Sequence, residues 1–93
     1  MDINYELYKV FYYVPTSLSF SEASKQLYIS QSAVSQSIKT LEKKLDQTLF
    51  IRSTKKVRLT TEGEILLRHI EPAISLIKRG ESQLLDVGVR GGQ

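Results

Sequence analysis

Apolar residues recur at helical spacing in three short stretches up to Leu45, change period between Leu49 and Leu59, and return as heptads after Thr61. The fold class predicted by these observations is mainly α: three short helices, a β-hairpin and one long helix. Ile3, Leu7, Val10, Phe11 and Val14 fall on one face, so a first helix over about 4–14 buries that stripe. Pro15 is expected to end it, because proline disfavours helical geometry in the residue before it and brings no amide donor. Ser19 with Glu22 forms a capping box, which places a second helix at 20–27 with Phe20, Ala23 and Leu27 inward. Tyr28 and Ile29 make the turn, and Ser30 is a suitable N-cap for a third helix at 31–45.

The run LFIRSTKKVRL, from Leu49 to Leu59, sets β-branched and apolar residues on either side of a polar centre at 53–56 and reads as a hairpin, a wing. Thr60 or Thr61 caps the last helix, and Thr61 with Glu64 has the spacing of a second capping box. Within that helix Leu66, Ile70, Ala73, Ile77, Gly80 and Leu84 follow at intervals of 4, 3, 4, 3 and 4, a heptad seam. A helix of about 24 residues is about 36 Å long, too long for so small a head to cover. The seam is therefore expected to pair with a second helix, the alternative being that it packs back on the same domain. Pro72 should loosen the hydrogen bond to Arg68, and Gly88, Gly91 and Gly92 mark a flexible tail. The chain thus divides into 1–60, a winged helix-turn-helix head; 61–87, a linker and dimerisation helix; and 88–93, a tail.

The third helix has two chemically opposed faces. Val34, Ile38, Leu41 and Leu45 cluster on one side, while Ser32, Ser35, Gln36, Lys39 and Lys43 lie roughly opposite. The outward side carries amides, hydroxyls and amines and no carboxylate, so it can hydrogen-bond base edges and phosphates without repelling a polyanion. An ordinary solvated surface helix has the same amphipathicity. The hydroxyls and glutamines at the helix start, where a docked helix comes closest to the bases, favour the nucleic-acid reading, as does the short helix and turn just before it.

Charge agrees. The net charge is +3, with nine basic against five acidic residues through Thr61 and four against five beyond it. The positive charge belongs to the head, within it to the segment from Lys39 to Arg58, which is the footprint of a polyanion-binding surface. The absence of cysteine removes disulfide frameworks, thiolate zinc sites and thiol nucleophiles. The single histidine, His69, sits in the long helix without a metal-ligating companion, and no glycine-rich phosphate loop is present, so neither catalysis nor a cofactor is implied. No apolar run approaches the roughly 20 residues that span a bilayer, and acidic residues stand at the N-terminus where a signal peptide is basic. The expectation is a soluble cytoplasmic protein with no membrane partner.

The run SFSEASKQLYISQSAVSQSIKTLEKKL, followed by LF, Arg52, VRLTTEG and a long helix, resembles the N-terminal DNA-binding domain of LysR-type transcriptional regulators over residues 3–87. The resemblance implies a bacterial transcription regulator that binds double-stranded DNA at an interrupted, AT-rich, dyad-symmetric operator. It implies a homodimer through the linker helix, and a tetramer in full-length members. A C-terminal effector-binding domain of periplasmic-binding-protein type normally follows. A small-molecule effector is expected only for that domain, and the chain ends at VGVRGGQ, about where its first strand would begin. The expectation is accordingly an excised or truncated DNA-binding fragment.

Carried across by position, Gln31, Ser32, Ser35 and Gln36 match base-reading and groove-contacting positions, and Lys39 faces phosphate one turn on. Ser21 and Ser30 match hydroxyls at helix ends that meet the DNA backbone, and Arg52, Lys55 and Lys56 match the wing. Leu66, Ile70, Ala73, Ile77 and Leu84 are assigned to dimerisation. Ser32 stands where proline is most frequent, Gln36 where many members carry arginine, and the wing tip lacks the family's usual glycine. Glutamine pairs bidentately with adenine N6 and N7, so Gln31 and Gln36 lean toward A·T recognition. The rival reading is a winged helix used as a protein-interaction or antirepressor module, since a fold does not dictate a function.

Overall fold

The computed structural model describes residues 2–17, 19–52 and 57–91, with side chains through Val87. Its elements in order are α1 (Tyr5–Ser17), α2 (Phe20–Leu27), α3 (Gln31–Leu45), β1 (Phe50–Arg52), β2 (Val57–Leu59) and α4 (Thr61–Gly91). The fold is mainly helical, as the period pattern predicts, with a two-stranded antiparallel wing that pairs Phe50 with Leu59, Ile51 with Arg58 and Arg52 with Val57. The tip at 53–56, with Lys55 and Lys56, lies outside the described residues.

The two helices of the helix-turn-helix have the predicted bounds because their starts are fixed locally. Ser19 Oγ accepts from the Glu22 N–H at 3.0 Å, and Ser30 Oγ accepts from the Ala33 N–H at 3.0 Å. Each satisfies a donor that the first helical turn leaves open. Tyr28 ends α2 in left-handed geometry (φ 58°, ψ 39°), and Asp46 ends α3 in the same way (φ 54°, ψ 44°). Both directions of the chain on leaving the helices are set by these single residues.

The core is one cluster drawn from all three short helices and the wing: Phe11, Val14, Ala23, Val34, Ile38, Leu41, Leu49 and Phe50 are buried together with Val10. Phe50 carries the wing into it, with its ring 5.4 Å from Phe11 and 6.3 Å, edge-on, from Phe20. Leu66, Leu67 and Ile70 of α4 pack against the same cluster. The division at residue 60 therefore separates elements but cuts through the core.

Three expectations are corrected. Helix α1 continues through Pro15 to Ser17; proline removes one donor, but the Thr16 hydroxyl lies 3.2 Å and 3.1 Å from the Tyr12 and Tyr13 carbonyls and satisfies acceptors of the last turn. Helix α4 is capped by Thr60, whose Oγ1 accepts from the Gly63 N–H at 3.0 Å and donates to the Thr48 carbonyl at 2.6 Å. Of the two candidate caps Thr60 is the one used, and in place of the Thr61–Glu64 box there is this single side-chain cap, because the Thr60 N–H is already tied to the Leu49 carbonyl at 2.9 Å and fixes where the helix can begin. Finally, α4 runs through Pro72 to Gly91 and past the expected end at 87. Glycine weakens a helix by about 1 kcal/mol relative to alanine but keeps its amide donor, and none of the described glycines takes the positive φ that would turn the chain out.

Gly63 is required by contact. A Cβ there would run into the Leu49 carbonyl oxygen and lie 2.9 Å from Leu59 Cδ2. The absent side chain lets the first turn of α4 sit directly on the base of the wing.

Candidate nucleic-acid interface

Helix α3 is anchored by Val34, Ile38 and Leu41, all fully buried, so its opposite face must point to solvent. Gln31, Ser32, Gln36, Lys39 and Lys43 are exposed there, and Ser35 is half-buried among them. Gln36, Lys39, Thr40, Lys43 and Lys44 line a shallow depression toward the C-terminal half of the helix. Hydroxyls and amides thus lead and amines follow along one face, with Lys44 donating to the Asp2 carbonyl at 3.3 Å.

The one carboxylate of α3, Glu42, is turned away from this face. Its Oε2 accepts the Leu49 N–H at 2.8 Å and the Phe50 N–H at 3.3 Å. Oε1 lies 3.9 Å from Arg52 Nη2. A charge that would repel phosphate is held at the root of the wing by two backbone donors and a guanidinium.

The sequence-predicted residues separate into groups. Gln31, Ser32, Ser35, Gln36 and Lys39 are brought together on α3. Ser30 is exposed at its start and serves as the N-cap, while Ser21 is half-buried in the first turn of α2, its carbonyl accepting from the Ser24 hydroxyl at 2.7 Å. Arg52, matched to the wing by the resemblance, stands on β1 and is tied to its neighbours. Its Nη1 donates to Ser35 Oγ at 3.3 Å and its Cζ lies 5.2 Å from the Phe20 ring centroid, so the guanidinium bridges the wing to α2 and α3. Arg58, on the facing strand, is exposed.

Tyr28 has no role in the sequence reading beyond the turn. It stands just before the start of α3 with 93% of its surface exposed. Its only sequence signal is a large aromatic at a turn position where glycine or asparagine would fit the backbone more easily.

The seam assigned to dimerisation is also divided by the structure. Leu66 and Ile70 face the head, so Ile70 has a packing role there in addition to any other. Ile74, absent from the seam, is 3% exposed one turn before Lys78, whose ammonium lies 3.4 Å from Tyr13 Oη. Ile65, Leu76, Ile77, Leu84 and Val87 remain exposed, and Ala73 with them. A 4–3 count cannot tell the stripe that meets the head from the stripe beside it, because both lie within one apolar half of the helix.

None of the described helices is long and apolar enough to cross a membrane. The sequence profile described as "Bacterial regulatory helix-turn-helix protein, lysR family" matches residues 5–64. HTH-type transcriptional regulator PerR of Escherichia coli (strain K12) is 45% identical over 62 residues, covering 67% of this chain and 21% of PerR. A probable RuBisCO transcriptional regulator of Phaeodactylum tricornutum (strain CCAP 1055/1) is 40% identical over 80 residues, 84% of this chain and 26% of that protein. The chain therefore spans about a fifth to a quarter of the length of these relatives. Among solved structures, BenM_DBD in its complex with catB site 1 DNA superimposes with a TM-score of 0.83 at 24% identity, over 92% of this chain and 96% of that one. With its helix-turn-helix, its wing and a profile match that runs from α1 into the first turn of α4, this chain belongs to the LysR family of bacterial regulatory helix-turn-helix proteins.

Proposed function

We propose that the chain is the DNA-binding part of a LysR-type transcription regulator, and that it binds an AT-rich, dyad-symmetric operator as a homodimer. The observation that carries this reading is the outward face of α3, where Gln31, Ser32, Ser35, Gln36, Lys39 and Lys43 offer donors while the helix's only carboxylate is turned onto the wing. Hydroxyl and amide groups at the helix start are suited to base edges, and lysines further along to phosphates. Arg58 adds an exposed cation on the wing, and Lys55 and Lys56, outside the described residues, are proposed to contact phosphate on the strength of their charge. Gln31 and Gln36 favour A·T pairs through adenine N6 and N7.

The dimer is supported by the exposed apolar face of α4, in which Leu76 is 62% and Leu84 72% exposed. Two heads held at a fixed separation require an operator whose symmetry mirrors their own. In a longer protein the same heads would act within a tetramer, in the cytoplasm, with any small-molecule effector bound outside these residues.

The test is enrichment of bound sequences from a library of duplexes with a randomised centre, followed by anisotropy titrations of the enriched site at two salt concentrations. Palindromic AT-rich sequences should emerge. If the dimer neutralises about six to ten phosphates, affinity should fall by about 10³ to 10⁵ between 50 and 200 mM salt. Failure to enrich any sequence, with binding indifferent to salt, would replace this reading by that of a protein-interaction module.

A further inference from the structure

Helix α4 is tied to the head on both sides of a weak point in its own backbone. Before that point Leu66, Leu67 and Ile70 pack against the buried cluster. Pro72 follows, and because proline has no amide to give the Arg68 carbonyl, the helix is one hydrogen bond short there. Beyond it Ile74 is 3% exposed, and one turn later the Lys78 side chain reaches α1. From Arg79 to Val87 every residue is exposed, and a Cβ at Gly80 would meet nothing within 4 Å. Lys78 is the last point at which the head holds the helix.

The contact it makes is specific. Tyr12 and Tyr13 stand edge to face with ring centroids 5.4 Å apart and form a corner. The Lys78 ammonium lies 5.6 Å and 5.4 Å from the two centroids and donates to Tyr13 Oη at 3.4 Å. No carboxylate pairs with it among the described residues, so the aromatic faces are what hold the cation. One exposed ring favours such a contact by about two- to fivefold.

The consequence is angular. From Pro72 to Val87 the helix travels about 22 Å. A swing of about 10° at the proline, half of a sharp kink, moves the outer end by about 4 Å. That exceeds the rise of one base pair, about 3.4 Å.

We infer that Lys78 is a positioning residue for half-site spacing: closed onto Tyr12 and Tyr13, it holds α4 beyond Pro72 at a fixed angle to the head, so that a dimer discriminates between spacings. This rests on the proposed binding of an operator by two heads joined through α4, and adds what fixes their separation. Lys78 touches no group on the outward face of α3, so its effect is on spacing and not on the reading of a half-site.

The experiment compares the 93-residue chain with its Lys78→Met and Lys78→Arg variants. Methionine keeps the length and the helix propensity without the charge, and arginine keeps a cation that stacks on aromatic rings. Circular dichroism and sedimentation verify that fold and assembly are retained. The chain has no cysteine, so spin labels on Lys25→Cys and Asp86→Cys, diluted with unlabelled chain, report the distance between head and outer helix within one copy. In parallel, the enriched half-site is placed in pairs whose separation grows by single base pairs, and affinities are measured beside that for a lone half-site.

The wild type and Lys78→Arg should give one narrow distance and one preferred spacing. Lys78→Met should broaden the distance and reduce the preference for the best spacing over its neighbours by at least about two- to fivefold, the value of one cation–ring contact, with lone half-site affinity unchanged. A Lys78→Met chain with the wild-type distance distribution overturns the inference, as does a broadened distance with spacing preference intact. Loss of affinity equal at every spacing and on the lone half-site also overturns it, by assigning Lys78 to DNA contact or to the head's fold. Failure of the wild type to enrich any sequence would overturn the DNA-binding reading and this inference with it.

Discussion

Removing the Glu42 carboxylate should loosen the wing from α3, and the cost can be worked from its contacts. Glu42→Ala deprives the Leu49 and Phe50 amides of their acceptor. The two residues are 1% and 3% exposed. An orphaned buried donor costs about 1–3 kcal/mol. The 3.3 Å bond belongs at the lower end of that range, and the Glu42 side chain is 18% exposed, so water can reach part of the vacated space. The expected loss is about 3 kcal/mol, against about 5–14 kcal/mol of total stability for a domain of this length. The variant should fold, with Tm lowered by about 12–24 °C. Glu42→Gln keeps one oxygen for the amides but loses the attraction to Arg52, and should cost about 1 kcal/mol.

Urea unfolding followed by far-ultraviolet circular dichroism measures both variants. The chain concentration is held constant, because association of copies shifts apparent stability. A Glu42→Ala variant within 0.5 kcal/mol of the wild type, a threshold of about half a typical hydrogen bond, would show that these amides find other partners and that the carboxylate does not hold the wing.

Gly63→Ala should destabilise the head by about 1–3 kcal/mol, since the obstructing atom is the Leu49 backbone carbonyl and cannot rotate aside; thermal unfolding reads it directly. Lys39→Ala and Lys43→Ala should each reduce the slope of log affinity against log salt by about 1 while leaving base preference unchanged, and an unaltered slope removes that lysine from phosphate contact. Gln36→Ala should cost about 1–3 kcal/mol at one position per half-site if it pairs bidentately with a base, whereas an equal loss on random duplexes places it on the backbone. Ile77→Asp with Leu84→Asp should give a monomer by sedimentation with a folded head, because both residues stand clear of the buried cluster. A surviving dimer would move the contact off this face.

What could be read from the sequence was local. Ser19 and Ser30 set the starts of α2 and α3 through bonds to amides three residues away, so cap chemistry alone gives those bounds. The period change at Leu49 likewise marks the wing. Other features depend on groups brought together from different elements. The cap falls on Thr60 because its neighbours Thr48 and Leu49 return from the far side of the wing. Arg52 reads only as one cation of the wing until Phe20, Ser35 and Glu42 are placed around it. The outward face of α3 was legible because burial of Val34, Ile38 and Leu41 fixes the rotation of the whole helix. Which apolar stripe of α4 meets the head was not, because that rotation is set by the partner surface and not by the helix itself.

That rotation bears directly on how two heads can be spaced. Leu66, Leu67 and Ile70 join the head's core, Ile74 is buried one turn later, and Lys78 closes the contact with its ammonium 5.6 Å and 5.4 Å from the Tyr12 and Tyr13 ring centroids. From Thr61 to Lys78 the helix therefore travels about 27 Å as part of the head's own packing. Beyond it, Leu84 and Leu85 are more than 70% exposed. A contact made on the outer segment is transmitted to α3 through an arm with apolar packing along its first half and a cation–π latch at its end. If two such arms pair as proposed, their α3 helices would be held at a separation set by side-chain packing. Spacing of half-sites on the proposed operator would then be a property of α1 and α4 together, although neither contributes a group to the outward face of α3.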